Sequence, residues 1–179
     1  MASEARFDWI VATMEVRPAD HILEIGAGTS PSVAHLAAVL TSGRVTAIDR
    51  SATAVARSAK RHAALIDSGR LRLLPIALED LRPADVLSEA VPAFDKILAV
   101  NVNLFWTRSP ATELALIRQL LSPGGSLYLT YGYGDPDGAD TSPKPLPGKL
   151  SGHLQAAGFD AHAVSSGDLL CVIATPRAH

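Results

Sequence analysis

The sequence predicts an α/β fold in which helices cover both faces of a mostly parallel sheet. Short apolar segments of strand length alternate five times with segments whose apolar residues recur at helical spacing. The segment FDKILAVNV is apolar on both faces, as expected of a strand buried between two helical layers. No repeat or change of composition interrupts the pattern, which predicts one domain over residues 1–179.

The predicted helices rest on apolar spacing and on residues typical of helix ends. Phe7, Ile10 and Met14 mark one face of the first helix. Ser-Pro pairs at 30–31 and 109–110 are typical of helix starts, since serine caps a helix and proline fits its first turn. The predicted helices are 3–17, 31–40, 51–66, 83–90, 110–121 and 149–157.

The predicted strands are short apolar runs bounded by turn residues. Pro75 places the third strand near an edge or a bend. SPGG at 122–125 predicts a tight turn, and the glycine, proline and aspartate of 132–148 predict an irregular loop. The predicted strands are 21–25, 44–49, 71–78, 94–102, 126–132, 160–166 and 169–176.

Composition excludes several classes of protein. Apolar residues are 47% of the chain and the formal net charge is -2, which argues against disorder and against a dedicated nucleic-acid binder. The single cysteine, Cys171, excludes a disulfide within the chain, makes a thiolate metal site very unfavourable and reads as a buried, inert thiol. We expect no metal. No signal peptide or membrane-spanning run is visible, so we expect a soluble, cytoplasmic protein.

The stretch LEIGAGTSPS, residues 23–32, is the main functional signal. In an open parallel sheet, ligands bind beyond the carboxyl ends of the strands, and the glycines of GAG follow the first strand directly. Glycine there leaves room for a ligand and permits backbone angles closed to other residues. Asp49, at the end of the second strand, can accept hydrogen bonds from a ribose diol, although it can also cap the following helix.

A dinucleotide site is one interpretation of this loop. Its fingerprint, G-x-G-x-x-G/A, requires a small sixth residue, and Pro31 stands there. Glu24, two residues before the first glycine, would repel a pyrophosphate but attract an ammonium. A nucleotide-dependent oxidoreductase is the second hypothesis, and both Pro31 and Glu24 count against it.

E-x-G-x-G-x-S, Glu24 to Ser30, resembles the first motif of the class I S-adenosylmethionine-dependent methyltransferases, with serine at the third glycine of the motif. ALED, FDKILAVNVNLFW and LLSPGGSLYLT resemble later segments of that family. The resemblance implies a Rossmann-like αβα sandwich of three layers, with seven strands of which the C-terminal one is antiparallel. It implies S-adenosylmethionine as cofactor, S-adenosylhomocysteine as product, and these cofactor-binding residues: Glu24, Gly26, Ala27, Gly28, Ser30, Asp49, Arg50, Leu78, Glu79, Asn101 and Val102.

The catalytic residues and the acceptor are less defined by the sequence. The candidate general bases are Tyr131, Tyr133, Asp135 and His153, on or beside the predicted loop 132–148. Phe105 and Trp106 are either an apolar wall of the site or ordinary core. We favour a small-molecule acceptor, which requires that the loop 132–148 close over it or that a homodimer complete the pocket. Without such closure the short segments around the site would leave it open to a larger partner. A non-catalytic relative that only binds the cofactor is a further hypothesis.

Overall fold

The structure, a computed structural model, describes residues 4–178. Residue 3 of the first predicted helix and both ends of the predicted 1–179 domain lie outside these residues. The helices are α1 Glu4–Thr13, α2 Ser32–Val39, α3 Ala52–Arg61, α4 Ala63–Asp67, α5 Pro83–Val86, α6 Leu104–Thr107, α7 Ala111–Leu120 and α8 Pro147–Ala156. The strands are β1 His21–Ile25, β2 Arg44–Ile48, β3 Leu71–Leu74, β4 Phe94–Val100, β5 Leu121–Tyr131, β6 Phe159–Ser166 and β7 Leu169–Pro176.

One seven-stranded sheet runs through the molecule in the order β3-β2-β1-β4-β5-β7-β6. The first five strands pair in parallel, and β7 lies antiparallel between β5 and β6. One apolar core joins the sheet to α1 and α2, and a second joins its other face to α5–α8. The three-layer α/β prediction is confirmed. Within residues 4–178, no helix is both long enough and apolar enough to cross a bilayer.

The strand order places the ligand-binding edge of the sheet. Strands β1 and β4 are neighbours at the centre, and the chain leaves them towards opposite sides of the sheet. In doubly wound sheets this arrangement opens a crevice beyond the carboxyl ends of the two strands. The GAG loop leaves β1 at that edge.

Several predicted strand limits were wrong for reasons of backbone geometry. β3 ends at Leu74, because Pro75 has no N–H for the ladder. β4 ends at Val100, because Asn101 adopts φ +55°. β5 begins at Leu121, so the predicted SPGG turn is part of a strand; a side chain at Gly125 would come within 2.9 Å of the Phe94 carbonyl oxygen, and glycine permits that approach.

Helix limits also differed from the prediction. The predicted helix 51–66 is two helices that meet at His62, where the backbone leaves helical angles. α1 ends at Thr13 and α5 is a single turn, both shorter than predicted. α2 begins at Ser32 after Pro31, and Ser30 accepts a hydrogen bond from the Ser32 N–H instead of capping the helix. Cys171 is buried in β7, and burial raises the pKa of its thiol to about 11.

Candidate functional site

A cleft of about 520 Å³ opens beyond the carboxyl ends of β1, β2 and β4. Six of the predicted site residues line it: Gly26, Asp49, Arg50, Leu78, Glu79 and Val102. The sequence did not indicate six others, which are Ile25, Ile48, Ile76, Leu104, Thr107 and Arg108. Ala77 and Asn103 complete the lining.

The glycine loop brings bare main chain to the cleft. Gly26 and Gly28 have φ angles of +68° and +55°, which favour glycine. The N–H groups of Gly26 and Ala27 both donate to the Ile48 carbonyl oxygen, at 2.9 and 3.2 Å, and so tie the loop to β2. A Cβ on Gly26 would lie 2.9 Å from Cγ2 of Val102. The loop therefore passes so close to Val102, just beyond β4, that a side chain at Gly26 would require Val102 to shift.

Asp49 connects the glycine loop to the turn that follows β2. Its Oδ2 accepts the Gly28 N–H and its Oδ1 accepts the Ser51 N–H, both at 2.8 Å. Ser51 is the residue that caps α3, since its hydroxyl oxygen accepts the Ala54 N–H at 3.2 Å. A carboxylate has about four acceptor positions, so two hydrogen bonds leave Asp49 able to accept more at the edge of the cleft.

Glu24 lies behind the loop rather than in the cleft wall. Its side chain is on the opposite face of β1 from that of Ile25, and the residue is 1% exposed. Oε1 accepts a hydrogen bond of 2.5 Å from the Ser32 hydroxyl, and Oε2 has no partner within the described residues. Burial raises the pKa of Glu24 to about 7, and the Ser32 hydrogen bond offsets part of that rise.

Gly28 does not line the cleft either, although its N–H contacts Asp49, and three other predicted site residues also lie outside the lining. Ala27 is buried in the core beside α2. Ser30 accepts the Ser32 N–H at 3.2 Å. Asn101 pairs with both main-chain groups of Gly132, donating to its oxygen at 3.0 Å and accepting its N–H at 2.9 Å. Asn101 thus joins the end of β4 to the end of β5.

The walls of the cleft are apolar and its rim is polar. Leu78 is buried in a short 3₁₀ helix, Leu78–Asp80, that follows β3. Leu104 and Thr107 come from α6, one turn apart, and Arg108 follows that helix. Arg108 donates to Glu113 at 3.0 Å. Phe105, on the same helix, is fully buried in the core, so it is not a wall of the site, and Trp106 packs against that core.

None of the four candidate bases lines the cleft. The Tyr131 hydroxyl donates to the Val102 oxygen at 3.0 Å, and burial raises the pKa of its phenol above the usual range. Tyr133 is 61% exposed, and Asp135 is an exposed turn residue. His153 contacts the Phe105 carbonyl oxygen at 3.1 Å in a separate groove beside α7 and α8.

Asp168, which the sequence did not single out, fixes the loop that follows β5. Its buried carboxylate accepts the N–H groups of Tyr133, Gly134, Thr141 and Ser142, the Ser142 hydroxyl and the Lys144 ammonium. Burial alone would raise the pKa of Asp168, but the hydrogen bonds outweigh burial and hold the pKa well below its usual range. Arg6 of α1 donates to Tyr133 and Gly132 oxygens from the other side. A turn aspartate gives no sequence signal for such a role.

The site fits a nucleoside that carries a cationic group. The apolar walls can hold a planar base, and Asp49 offers free acceptor positions at the rim. Gly26 contributes bare main chain to the lining of the same cleft. The second oxygen of Glu24 has no partner in the described chain, and a buried carboxylate of this kind favours a cation.

Comparisons with known proteins agree with this geometry. Residues 23–127 match the family described as "Methyltransferase domain". No curated protein sequence matches the chain significantly. The fold is similar to a SAM-dependent methyltransferase from Aquifex aeolicus, with a TM-score of 0.74, 16% identity and coverage of 97% of this chain and 93% of that one.

Two other solved structures share the fold. The glycopeptide N-methyltransferase MtfA, complexed with sinefungin, has a TM-score of 0.73 and 16% identity, over 97% of this chain and 86% of that one. A putative methyltransferase from Haloferax volcanii, solved with the Trm112 activator, has a TM-score of 0.71 and 16% identity, over 96% and 89%. The chain belongs to the class I S-adenosylmethionine-dependent methyltransferase family, and it is an enzyme whose methyl donor is S-adenosylmethionine.

Proposed function

We propose that this methyltransferase acts on a small molecule and binds the adenosine part of its cofactor in the cleft beyond β1, β2 and β4. The observation that carries the binding site is the Gly28–Asp49 hydrogen bond, which holds a carboxylate beside the glycine loop at the rim of an apolar cleft. Asp49 would accept the ribose diol, and Leu78 and Val102 would face the base. Arg50 and Glu79 would border it at the rim.

The residues behind the loop would serve the amino-acid part of the cofactor. Glu24 is two residues from Gly26, and its unpartnered oxygen suits an ammonium. Gly28 and Ser30 shape the loop between the two carboxylates. Asn101 would act indirectly, by fixing the end of β4 against Gly132.

We infer that the protein contributes mainly by positioning the reactants. S-adenosylmethionine supplies an electrophilic methyl group on a positively charged sulfur. Correct orientation of two reactants can lower a barrier by several kcal/mol. The candidate bases Tyr131, Tyr133, Asp135 and His153 do not line the cleft, and the Tyr131 hydroxyl donates a hydrogen bond to the oxygen of Val102. An acceptor that needs no base from the protein fits this arrangement.

A fixed wall beside the ends of β4 and β5 supports a small acceptor. The loop after β5 is tied to the turn between β6 and β7 by Asp168 and to α1 by Arg6. A loop held at this many points gives a fixed surface at the end of β5, and we take that fixed surface to favour a small acceptor over a macromolecule. The basic residues Arg57, Lys60 and Arg61 are exposed on α3, and Arg61 donates to the Thr29 oxygen. We interpret them as a solvated helix face rather than a nucleic-acid-binding patch.

Calorimetry with S-adenosylhomocysteine, NAD and ATP tests the binding site. We expect micromolar binding of S-adenosylhomocysteine and none of the other two, because Glu24 would repel a pyrophosphate and Pro31 departs from the dinucleotide fingerprint. Transfer of a labelled methyl group into a cell extract then tests the acceptor class. The label should appear in the low-molecular-mass fraction, and label recovered in protein or RNA would contradict a small-molecule acceptor.

A further inference from the structure

Glu24 and Ser32 form an isolated polar pair under the start of α2. Both residues are buried, at 1% and 2% exposure. The hydroxyl of Ser32 donates to Oε1 of Glu24 at 2.5 Å, and this is the one hydrogen bond that the carboxyl group has within the described residues. The second oxygen, Oε2, is sealed from solvent without a partner. If this carboxyl group is ionised, one of its two oxygens accepts a hydrogen bond and the other is buried without one.

Among the residues that the structure describes, no charged group pairs with Glu24. Its partners in register on β2 and β4 are Ala47 and Leu98, both apolar. Charged groups of the surrounding elements have other partners: His35 contacts Asp8, Lys96 pairs with Asp20, Asp49 accepts the Gly28 and Ser51 N–H groups, and Arg6 donates to Gly132 and Tyr133 oxygens. Residues 4–178 therefore do not supply the cation that Glu24 requires when ionised.

We propose that Ser32 is a positioning residue that directs Oε2 of Glu24 towards the ammonium of the cofactor's amino-acid part, and that cofactor binding expels the proton from Glu24. The inference rests on the proposed binding site. In the free protein burial raises the pKa of Glu24 to about 7, so near neutral pH a large fraction of the group is protonated. On binding, the O–H bond of Glu24 breaks, the proton passes to solvent, and one ion pair forms with the ammonium.

Ser32 contributes because its hydroxyl donates to the ionised carboxylate. A donor to the charged form lowers the pKa of a carboxyl group, and here it opposes the effect of burial. It also occupies Oε1, which leaves Oε2 as the oxygen for the ligand. Without this hydroxyl, Glu24 would hold its proton to higher pH and oppose the ammonium more strongly.

A comparison of two ligands that share the nucleoside can distinguish proton release from Glu24 from the binding of adenosine. S-adenosylhomocysteine carries the amino-acid part, and 5′-methylthioadenosine lacks it. Between about pH 8 and pH 6 we expect the affinity for S-adenosylhomocysteine to fall about tenfold, because below a pKa near 7 each pH unit costs a factor of about ten. The affinity for 5′-methylthioadenosine should stay constant. Calorimetry in two buffers of different ionisation enthalpy should detect proton release with the first ligand alone.

Variants assign the proton to Glu24 and the positioning to Ser32. Glu24→Gln should bind 5′-methylthioadenosine like the wild type and lose the pH dependence of S-adenosylhomocysteine binding. Ser32→Ala should shift that pH dependence to higher pH, and Ser32→Thr should restore it. Ser58→Ala, at a serine equally buried on α3, is the matched control and should leave both ligands unaffected. Thermal unfolding checks that each variant is folded.

The possible results are distinct. Equal pH dependence for the two ligands, or pH dependence that persists in Glu24→Gln, would overturn the inference while the proposed binding site stands. A Ser32→Ala profile that matches the wild type would overturn the positioning role. Failure of both ligands to bind the folded wild type would overturn the proposed binding site, and the inference with it.

Discussion

The main-chain N–H of Gly28 donates a hydrogen bond of 2.8 Å to Oδ2 of Asp49. It links the loop after β1 to the end of β2, two segments that the sequence separates by about twenty residues. The same carboxylate also accepts the Ser51 N–H at the start of α3. Asp49 therefore shapes the rim of the cleft in addition to its proposed contact with a ligand, and its replacement has two measurable effects.

Replacement of Asp49 by alanine should weaken binding of S-adenosylhomocysteine at least tenfold. A tenfold loss corresponds to about 1.4 kcal/mol, reasonable for removing a charged acceptor from a diol. Urea unfolding should show a loss of about 1–2 kcal/mol, because the Gly28 and Ser51 N–H groups lose their acceptor. Asp67→Ala, on the exposed end of α4, is the control. Unchanged affinity in Asp49→Ala would refute the ribose assignment.

Replacement of Gly26 by alanine should cost more stability than the same change at Gly69. Both glycines have left-handed φ angles, +68° and +73°, so both variants carry about 1–2 kcal/mol of backbone strain. A Cβ on Gly26 also meets Val102 at 2.9 Å, whereas a Cβ on Gly69 meets nothing within 4 Å. The difference between the two free energies of unfolding measures the contact alone.

Ligand binding distinguishes the same two variants. Gly26 lines the cleft and Gly69 lies beyond the end of α4. Calorimetry should therefore show weaker binding of S-adenosylhomocysteine for Gly26→Ala and wild-type binding for Gly69→Ala. Equal affinities would place the ligand away from the glycine loop.

The fold was predictable because the spacing of apolar residues indicates the helices and strands. The residues at which several strands begin and end depend instead on single backbone angles. β4 ends where Asn101 adopts φ +55°, within a segment whose apolar pattern continues through Val102. β5 passes through two glycines that read as a turn, because glycine permits both a turn and a close approach to a neighbouring strand. These choices depend on contacts with Phe94 and Gly132, which are distant in the sequence.

The part of the site that consists of glycine main chain and of residues at strand ends was predictable from the sequence. Glycine spacing and a carboxylate after β2 identified Gly26 and Asp49, both in the cleft. Leu104 and Thr107 were missed because α6 has four residues, too few for a helical period. Asp168 was missed because a Gly-Asp pair is typical of a turn, and its donors are about 25 to 35 residues away along the chain.

Asp168→Asn should destabilise the protein at neutral pH by at least about 2 kcal/mol. An amide has one acceptor oxygen and two donors, so it cannot satisfy the N–H groups of Gly134, Thr141 and Ser142 together, and hydrogen bonds to charged groups contribute about 1.5–3 kcal/mol each. Urea unfolding measures the loss. Asp140→Asn, in the same loop but exposed, should have a much smaller effect.

The effect of Asp168→Asn should also depend on pH. Hydrogen bonds hold the folded-state pKa of Asp168 below its unfolded value of about 3.9. A group with a depressed folded pKa stabilises the protein fully above its unfolded pKa, and this contribution is lost as pH falls through the folded pKa. The difference between wild type and variant should be constant from about pH 7 to pH 5 and shrink below about pH 4. A constant difference down to about pH 2 would contradict a buried, ionised Asp168.

At the amino-terminal ends of the central strands β1 and β4, Asp20→Ala should destabilise the protein by about 3–5 kcal/mol. Lys96 donates to Asp20 at 2.7 Å, and both side chains are about nine-tenths buried, so the variant leaves a buried ammonium without its counter-ion. The Arg17 N–H also loses its acceptor on Asp20. Urea unfolding at neutral pH measures the change.

A double variant separates the charge from the loss of packing. Adding Lys96→Met to Asp20→Ala removes the unpaired ammonium and should recover part of the lost stability, since methionine fills similar space without a charge. The matched exposed pair is Arg177–Asp160, with side chains 47% and 76% exposed. Asp160→Ala should cost no more than about 1 kcal/mol. A cost for Asp20→Ala as small as that for Asp160→Ala would mean that water reaches Lys96 in solution.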